Sequence, residues 1–339
     1  MTLLEVNNLR VGYRTRRGLL RAVDGISFQV EEGQNVGLIG ESGCGKTTVV
    51  KTILQLLPRT AENEGEVFFQ GRDLLTLGRA ELDKIRWKEI ALVPQSAMNA
   101  LNPVIRIGDQ IVEAIQAHEA ITGTAARDRV AELFRLVGLD PKRANHNPHQ
   151  FSGGMKQRSV IAMALALDPK LIIADEPTTG LDVLVQDQIL RQIEEIHRHF
   201  NVSVLFVTHD IGIVAETCQR IAVMYAGKMA EYADALALFE RPYHPYTLGL
   251  MKAYPSVRGS KRELVSIPGG PPDLAAPLSG CRFTPRCPFA LEICRQDEPE
   301  MVETERGNYA ACHRVADIDQ MREEAGKART WRAAATNPL

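Results

Sequence analysis

Apolar and polar residues alternate along two stretches at the amino terminus, Leu3 to Tyr13 and Ala22 to Val30, which read as strands joined by a polar, basic turn at Arg14 to Gly18. In the second, Ile26, Phe28 and Val30 interleave with Ser27 and Gln29, the pattern of a half-buried antiparallel strand. Gly65 to Phe69 adds a strand closed by a turn at Gln70-Gly71. Charged, helix-favouring residues from Arg79 to Trp87 lead to a short apolar run, Ile90 to Val93, which ends at Pro94-Gln95. The period then changes. Ile107, Ile111, Ala114 and Ile115 share one helical face, as do Val130, Leu133, Phe134 and Val137, with Gly138 and Pro141 as stop signals. A helical insert over about 96–165 is therefore expected to interrupt the strands.

Leu171 to Ala174 and Val202 to Val207 are near-continuous apolar runs, as in parallel strands buried on both faces. A helix over Val183 to His199 joins them, and Ile221 to Tyr225 with Met229 to Tyr232 form a closing hairpin about Gly227-Lys228. From Arg241 to about Gly280 the chain turns Pro- and Gly-rich and is expected to be an extended wrapping or linker segment. Four of the six cysteines follow, then a polar, charged tail. The boundary expected from this change separates residues 1–240 from residues 241–339.

Charge and composition narrow the function. A formal net charge of −2 argues against a nucleic-acid binder, which usually carries a basic excess. No run of 18 or more apolar residues appears, and Met1 to Glu5 lacks the start of a secretion signal, so a cytosolic chain is expected. There the cysteines are expected to stay reduced.

The chemistry concentrates in Gly40-Glu41-Ser42-Gly43-Cys44-Gly45-Lys46-Thr47, which follows the apolar run Val36 to Ile39 and precedes helix-favouring residues from Thr48 to Leu54. A strand, a glycine loop and a helix form a phosphate cradle: bare N–H groups face phosphate oxygens, Lys46 reaches the β- and γ-phosphates, and Thr47 can ligate Mg²⁺. Asp175 and Glu176 end the run from Leu171, where one carboxylate can hold Mg²⁺ and the other can polarise water. By itself that pair reads as a solvated loop. Phe151 to Arg158 opens another helix, with Ser152 as a cap and Gly153 and Gly154 leaving N–H groups bare. Tyr13 reads equally as a packing residue or a base-stacking one.

Together these pieces resemble the nucleotide-binding subunits of ABC transporters. The resemblance implies an α/β P-loop ATPase cassette with a mixed sheet core, an antiparallel β subdomain and a helical subdomain, plus a small Cys-containing C-terminal region. It assigns Gly40 to Thr47 with Thr48 to the ATP site, Tyr13 to the adenine, Asp175 with Thr47 and Gln95 to Mg²⁺, and Glu176 to the catalytic base. His209 becomes the γ-phosphate contact, and Asp182 belongs to the D-loop. Ser152, Gly153, Gly154, Met155 and Gln157 form the signature that serves the ATP of a second ATPase subunit, with Met155 where the family commonly has Gln. Arg241 to Thr247 and Gln95 to Pro103 are similar to stretches of the oligopeptide/dipeptide importer ATPases. That branch implies two permease subunits, an extracytoplasmic solute-binding protein and a place on the cytoplasmic face of the membrane. Nickel or oligosaccharide import by the same engine, a non-transport ABC ATPase of DNA repair or translation, and a redox sensor are the alternatives weighed.

Cys281, Cys287, Cys294 and Cys312 are spaced C-x5-C-x6-C-x17-C, wider than zinc-ribbon pairs, and four thiolates suit Zn²⁺ or an iron–sulfur cluster. The resemblance favours a [4Fe–4S] cluster over Zn²⁺. Cys44 and Cys218 stand apart as packing residues, although Cys44 lies in the phosphate loop, where sensitivity to oxidation is the second reading. Loss of Cys287 or Cys294 is expected to loosen the C-terminal region while ATP binding at Lys46 survives.

Overall fold

The alternating runs at the amino terminus are strands β1 (Thr2–Thr15) and β2 (Gly18–Glu31) in a computed structural model of the chain. The structure describes residues 1–16, 18–95, 100–253, 267–276, 278–327 and 329–332. Strand β3 (Asn35–Ile39) is wholly buried and leads to helix α1 (Lys46–Ile53). Strand β4 (Ala61–Phe69) pairs antiparallel with β1, placing Val6 opposite Val67, and the short β5 (Arg72–Asp73) completes a sheet ordered β2-β1-β4-β5. β4 starts four residues earlier than its apolar end suggested, because Ala61 to Glu66 is polar and largely exposed.

The chain forms two compact units. The first comprises residues 1–3, 30–35 and 76–207. It holds α2 (Arg79–Ile85), β6 (Ile90–Val93) and the amphipathic α3 (Ile107–His118) and α4 (Gly123–Leu136). The residues these helices bury include Ile107, Ile111, Ala114 and Ile115, and Val130, Leu133 and Phe134, the faces their periodicity marks. After α5 (Gly153–Ala164) the chain enters β7 (Leu171–Asp175), α6 (Val183–Phe200) and β8 (Ser203–Thr208). β6, β7 and β8 run parallel with Ile90 opposite Leu171 and Ala174 opposite Phe206; β7 and β8 are buried throughout, which is why they read as unbroken apolar runs.

The second unit takes residues 4–29, 36–75 and 208–339. After α7 (Ile211–Thr217), β9 (Arg220–Tyr225) lies parallel to β3 and turns into the antiparallel β10 (Lys228–Asp234). Helix α8 (Ala235–Glu240) follows. The stretch expected to be an extended linker instead contains α9 (Pro245–Ala253), which buries Tyr246, Thr247 and Leu248. Pro245 starts this helix, where its missing N–H costs nothing, so a residue read as a breaker is an initiator. Residues 267–272 are without helix or strand, as their prolines and glycines suggest, while residues 254–266 and 277 of the expected linker lie outside the described set.

Beyond the short α10 (Ile293–Gln296), the expected polar tail is also structured. Strands β11 (Val302–Glu305) and β12 (Asn308–Ala310) extend the sheet of this unit to β11-β12-β10-β9-β3. Helix α11 (Ile318–Ala325) buries Ile318, Met321 and Ala325, and Trp331 is 2% exposed with its indole N–H donated to the Ala325 carbonyl. Among the described residues no helix is long and apolar enough to cross a membrane.

Candidate nucleotide site and cysteine region

Strand β3 delivers the chain to a loop only glycine can make. At Gly40 φ is 154° and a Cβ would lie 2.1 Å from the Met224 carbonyl oxygen; at Gly45 φ is 108° and a Cβ would lie 2.3 Å from that of Ala22. A side chain at either position would lift the loop off the backbone beneath it. Gly45 is also the N-cap of α1 and supplies no side chain; the Lys46 N–H points at the Cys44 sulfur, and the helix N-terminus lies directly behind the loop. Lys46 is 5% exposed, and its Nζ donates to the carbonyls of Gly40 (2.6 Å) and Glu41 (3.1 Å). The ammonium is thus tethered across the loop. The Tyr13 hydroxyl stands 3.2 Å from the Thr48 Oγ1, and His209 is exposed just after β8.

Glu41 is held on two sides. Its N–H donates to the Tyr246 hydroxyl at 3.0 Å, and its carboxylate receives both terminal nitrogens of Arg286, at 2.7 and 2.9 Å. Burial works against the charge of Arg286, but hydrogen bonds to Glu41 and Tyr225 outweigh it and hold the guanidinium pKa above its ordinary value. The phosphate loop and the cysteine region are therefore in direct contact. Burial pushes the Cys44 thiol up despite nearby Lys46, and pushes Cys218 up to about 12, which argues against oxidation sensitivity at Cys44.

In the first unit Asp175 ends β7 at 5% exposure. Glu176 follows at a φ of 49°, an uncommon conformation for a non-glycine residue, and its N–H donates to the Val207 carbonyl at 2.7 Å. One carboxylate oxygen accepts from the Gln95 amide (2.9 Å) and the Thr179 hydroxyl (2.8 Å). Two residues predicted 81 positions apart thus meet in one hydrogen bond. Ser152 caps α5 by accepting the Met155 N–H, and Asp182 caps α6 by accepting the Val185 N–H. A Cβ on Gly154 would lie 2.6 Å from a Val185 methyl, so this glycine lets α5 and the start of α6 approach. Gln157 is buried, and its amide nitrogen has no hydrogen-bond partner among the described residues.

The Arg241 to Thr247 stretch has a role beyond marking a region. Glu231 on β10 is 1% exposed and accepts the N–H groups of Tyr243 (2.7 Å) and His244 (2.9 Å). Burial pushes its pKa up to about 7 against those bonds. His244, pulled down to about 3 by burial, is neutral and accepts the Tyr246 N–H at Nδ1. A lone acid inside the apolar run Met229 to Tyr232 was the available sequence signal for this arrangement.

Cys281, Cys287, Cys294 and Cys312 line a single cavity of about 20 Å³ with Phe283 and Phe289. Burial pushes Cys281 up, Cys287 well up and Cys312 up to about 11, each countered in part by a backbone N–H aimed at its sulfur. The N–H groups of Leu291 and Arg314 lie 3.4 Å from the sulfurs of Cys294 and Cys312. All six cysteines are free thiols, and among the described residues no three His, Cys, Asp or Glu side chains are arranged to hold a metal ion.

A family model of the ABC transporter matches residues 23–179, and one of the oligopeptide/dipeptide transporter C-terminal region matches residues 230–294. A probable peptide ABC transporter ATP-binding protein of Sinorhizobium fredii is 46% identical over 321 residues, 93% of this chain and 96% of that protein. The chain belongs to the ATP-binding subunits of ABC transporters. An oligopeptide transport ATP-binding protein of Bacillus subtilis is 43% identical over 312 residues (91% and 87% of the two chains). A dipeptide transport ATP-binding protein of Caldanaerobacter subterraneus is 40% identical over 314 (92% and 96%). Among solved structures, a dimeric ATP-binding cassette in a post-hydrolysis state, bound to ADP and Pi, aligns with a TM-score of 0.62 at 29% identity. It covers 68% of this chain and 98% of that one. The fold is thus the ABC ATPase cassette, and the chain is an ATPase subunit.

Proposed function

We propose that this subunit couples MgATP binding and hydrolysis to uptake of di- and oligopeptides across the cytoplasmic membrane. The observation that carries the reading is similarity to named peptide, oligopeptide and dipeptide transport ATP-binding proteins over nine-tenths of the chain, C-terminal region included. It would act peripherally at the cytoplasmic face with a second ATPase subunit, two permeases and an extracytoplasmic binding protein. Lys46 and the N-terminus of α1 would take the phosphates, Tyr13 the adenine, Thr47 with Asp175 and Gln95 the Mg²⁺, and His209 the γ-phosphate. Ser152 to Met155, with Gln157 behind them, would face the partner's nucleotide beside Asp182. The backbone cradle, in which a Cβ at Gly40 or Gly45 has no room, supports the fit to a phosphate chain.

Glu176 has the chemistry of the base that draws a proton from attacking water, and the Gln95 amide and Thr179 hydroxyl orient its carboxylate. Both donate to one of its oxygens, and the Gln95 bond ties the base to a residue assigned to Mg²⁺. In vesicles carrying the assembled transporter, Glu176→Gln is expected to keep ATP binding while hydrolysis and peptide uptake fall about 10²- to 10⁴-fold. Lys46→Ala is expected to lose binding itself. Wild-type turnover by Glu176→Gln would remove the assigned base.

We also propose that Cys281, Cys287, Cys294 and Cys312 hold a [4Fe–4S] cluster. What supports it is the donor set: four thiols line one cavity and a backbone N–H points at each sulfur. A cluster would have to displace the protons that burial favours on Cys281, Cys287 and Cys312, and draw the side chains into a ligating arrangement they do not have among the described residues. Chain purified without oxygen is expected to contain about four irons per subunit. Stoichiometric zinc without iron would make it a zinc site instead.

A further inference from the structure

The phosphate loop is gripped from its outer side. Arg286 sits in a tight turn, Thr284–Arg286, between the first two of the four cysteines and directly before Cys287. Its side chain is only 6% exposed, and three of its contacts hold it: Nε donates to the Pro268 carbonyl, one terminal nitrogen reaches the Tyr225 hydroxyl, and the fork closes on both oxygens of Glu41. A bidentate guanidinium–carboxylate pair fixes orientation as well as distance, which a lysine cannot reproduce. Tyr246 adds the second jaw by accepting the Glu41 N–H. Its ring packs at 4.7 Å from Tyr225 and 5.5 Å from Phe283, so it has little room to move.

These contacts bear on nucleotide through one more link. The Nζ of Lys46 is aimed by the carbonyls of Gly40 and Glu41, and the Glu41 N–H, engaged by Tyr246, is turned away from any phosphate. Moving Glu41 moves the acceptors that aim the lysine. We propose that Arg286 and Tyr246 are positioning residues for ATP, setting the shape of the phosphate loop through Glu41, so that the cysteine region determines nucleotide affinity. This rests on reading Gly40 to Thr47 as the phosphate cradle.

The test is a set of MgATP and MgADP dissociation constants for the full chain, with iron content and melting temperature measured on each variant. Arg286→Ala is expected to weaken both nucleotides about tenfold, and Arg286→Lys to recover part of that loss. In a Glu41→Ala background, Arg286→Ala is expected to add nothing. In the assembled transporter the KM for ATP should rise while kcat holds. Should Arg286→Ala fold poorly, Tyr246→Phe removes only the acceptor oxygen and is expected to shift affinity in the same direction. Unchanged constants in both variants, or an equal loss from Arg286→Ala with Glu41 already removed, would overturn the proposal. Retention of binding by Lys46→Ala would instead overturn the cradle itself.

Discussion

Replacing Glu231 probes how α9 is attached. The carboxylate is nearly inaccessible and receives two N–H groups at the start of that helix, from Tyr243 and His244. Glu231→Ala leaves both donors buried without an acceptor, at about 1–3 kcal/mol each, so a loss of about 2–6 kcal/mol is expected. Glu231→Gln keeps one acceptor and should lose about half as much. The pH dependence is the sharper measurement. In the folded chain burial holds the proton up to about pH 7, whereas an ordinary glutamate releases it near 4.5. Between those values the folded state binds more protons, so this contribution is complete below about 4.5 and is lost as pH rises through about 7, a change of about 3 kcal/mol. Glutamine has no such proton. The stability difference between wild type and Glu231→Gln should therefore narrow by about 3 kcal/mol between about pH 4.5 and pH 8. Trp331 reports on this region, because it packs where a Cβ on Gly249 of α9 would approach it to 2.7 Å. The chain has two tryptophans, so urea unfolding followed by fluorescence in a Trp87→Phe background isolates the signal. A difference that stays constant across that range would refute the buried-acid argument.

Two further outcomes are expected. Gly154→Ala should cost about 1–3 kcal/mol in unfolding free energy by pushing its new methyl into Val185, and Val185→Ala should restore most of that stability. Cys287→Ser or Cys294→Ser should lower bound iron and, because Arg286 precedes Cys287, should also weaken MgATP binding; full affinity in iron-free protein would separate the cluster from the loop.

What could be read from the sequence was what the chain encodes contiguously. The phosphate loop is eight consecutive residues between a strand and a helix, and β7 and β8 are runs whose buried faces are written in every position. The Gln95–Glu176 contact was reachable only through resemblance, since nothing local in either residue points to the other. The C-terminal region was misread because its signals are short and diluted. β12 is three residues long, α11 places its three buried residues among acids and Arg322, and α9 hides behind a proline. The Arg286–Glu41 pair spans 245 positions, and no local period marks such a partner.

Strand β10 has β9 on one side and β12 on the other, with Glu231 opposite Ala310 and Tyr232 opposite Tyr309. A chain shortened near residue 241 to leave a bare cassette would strip β12 away. The N–H and C=O groups it covers would then face solvent as a free sheet edge beside apolar Met229, Ala230 and Ala233, the kind of template on which chains join edge to edge. Self-association of such a fragment would report the missing strand rather than the dimerisation of the engine. A cassette cut from this protein is best kept with residues 302–310, or given a lysine facing outward on β10.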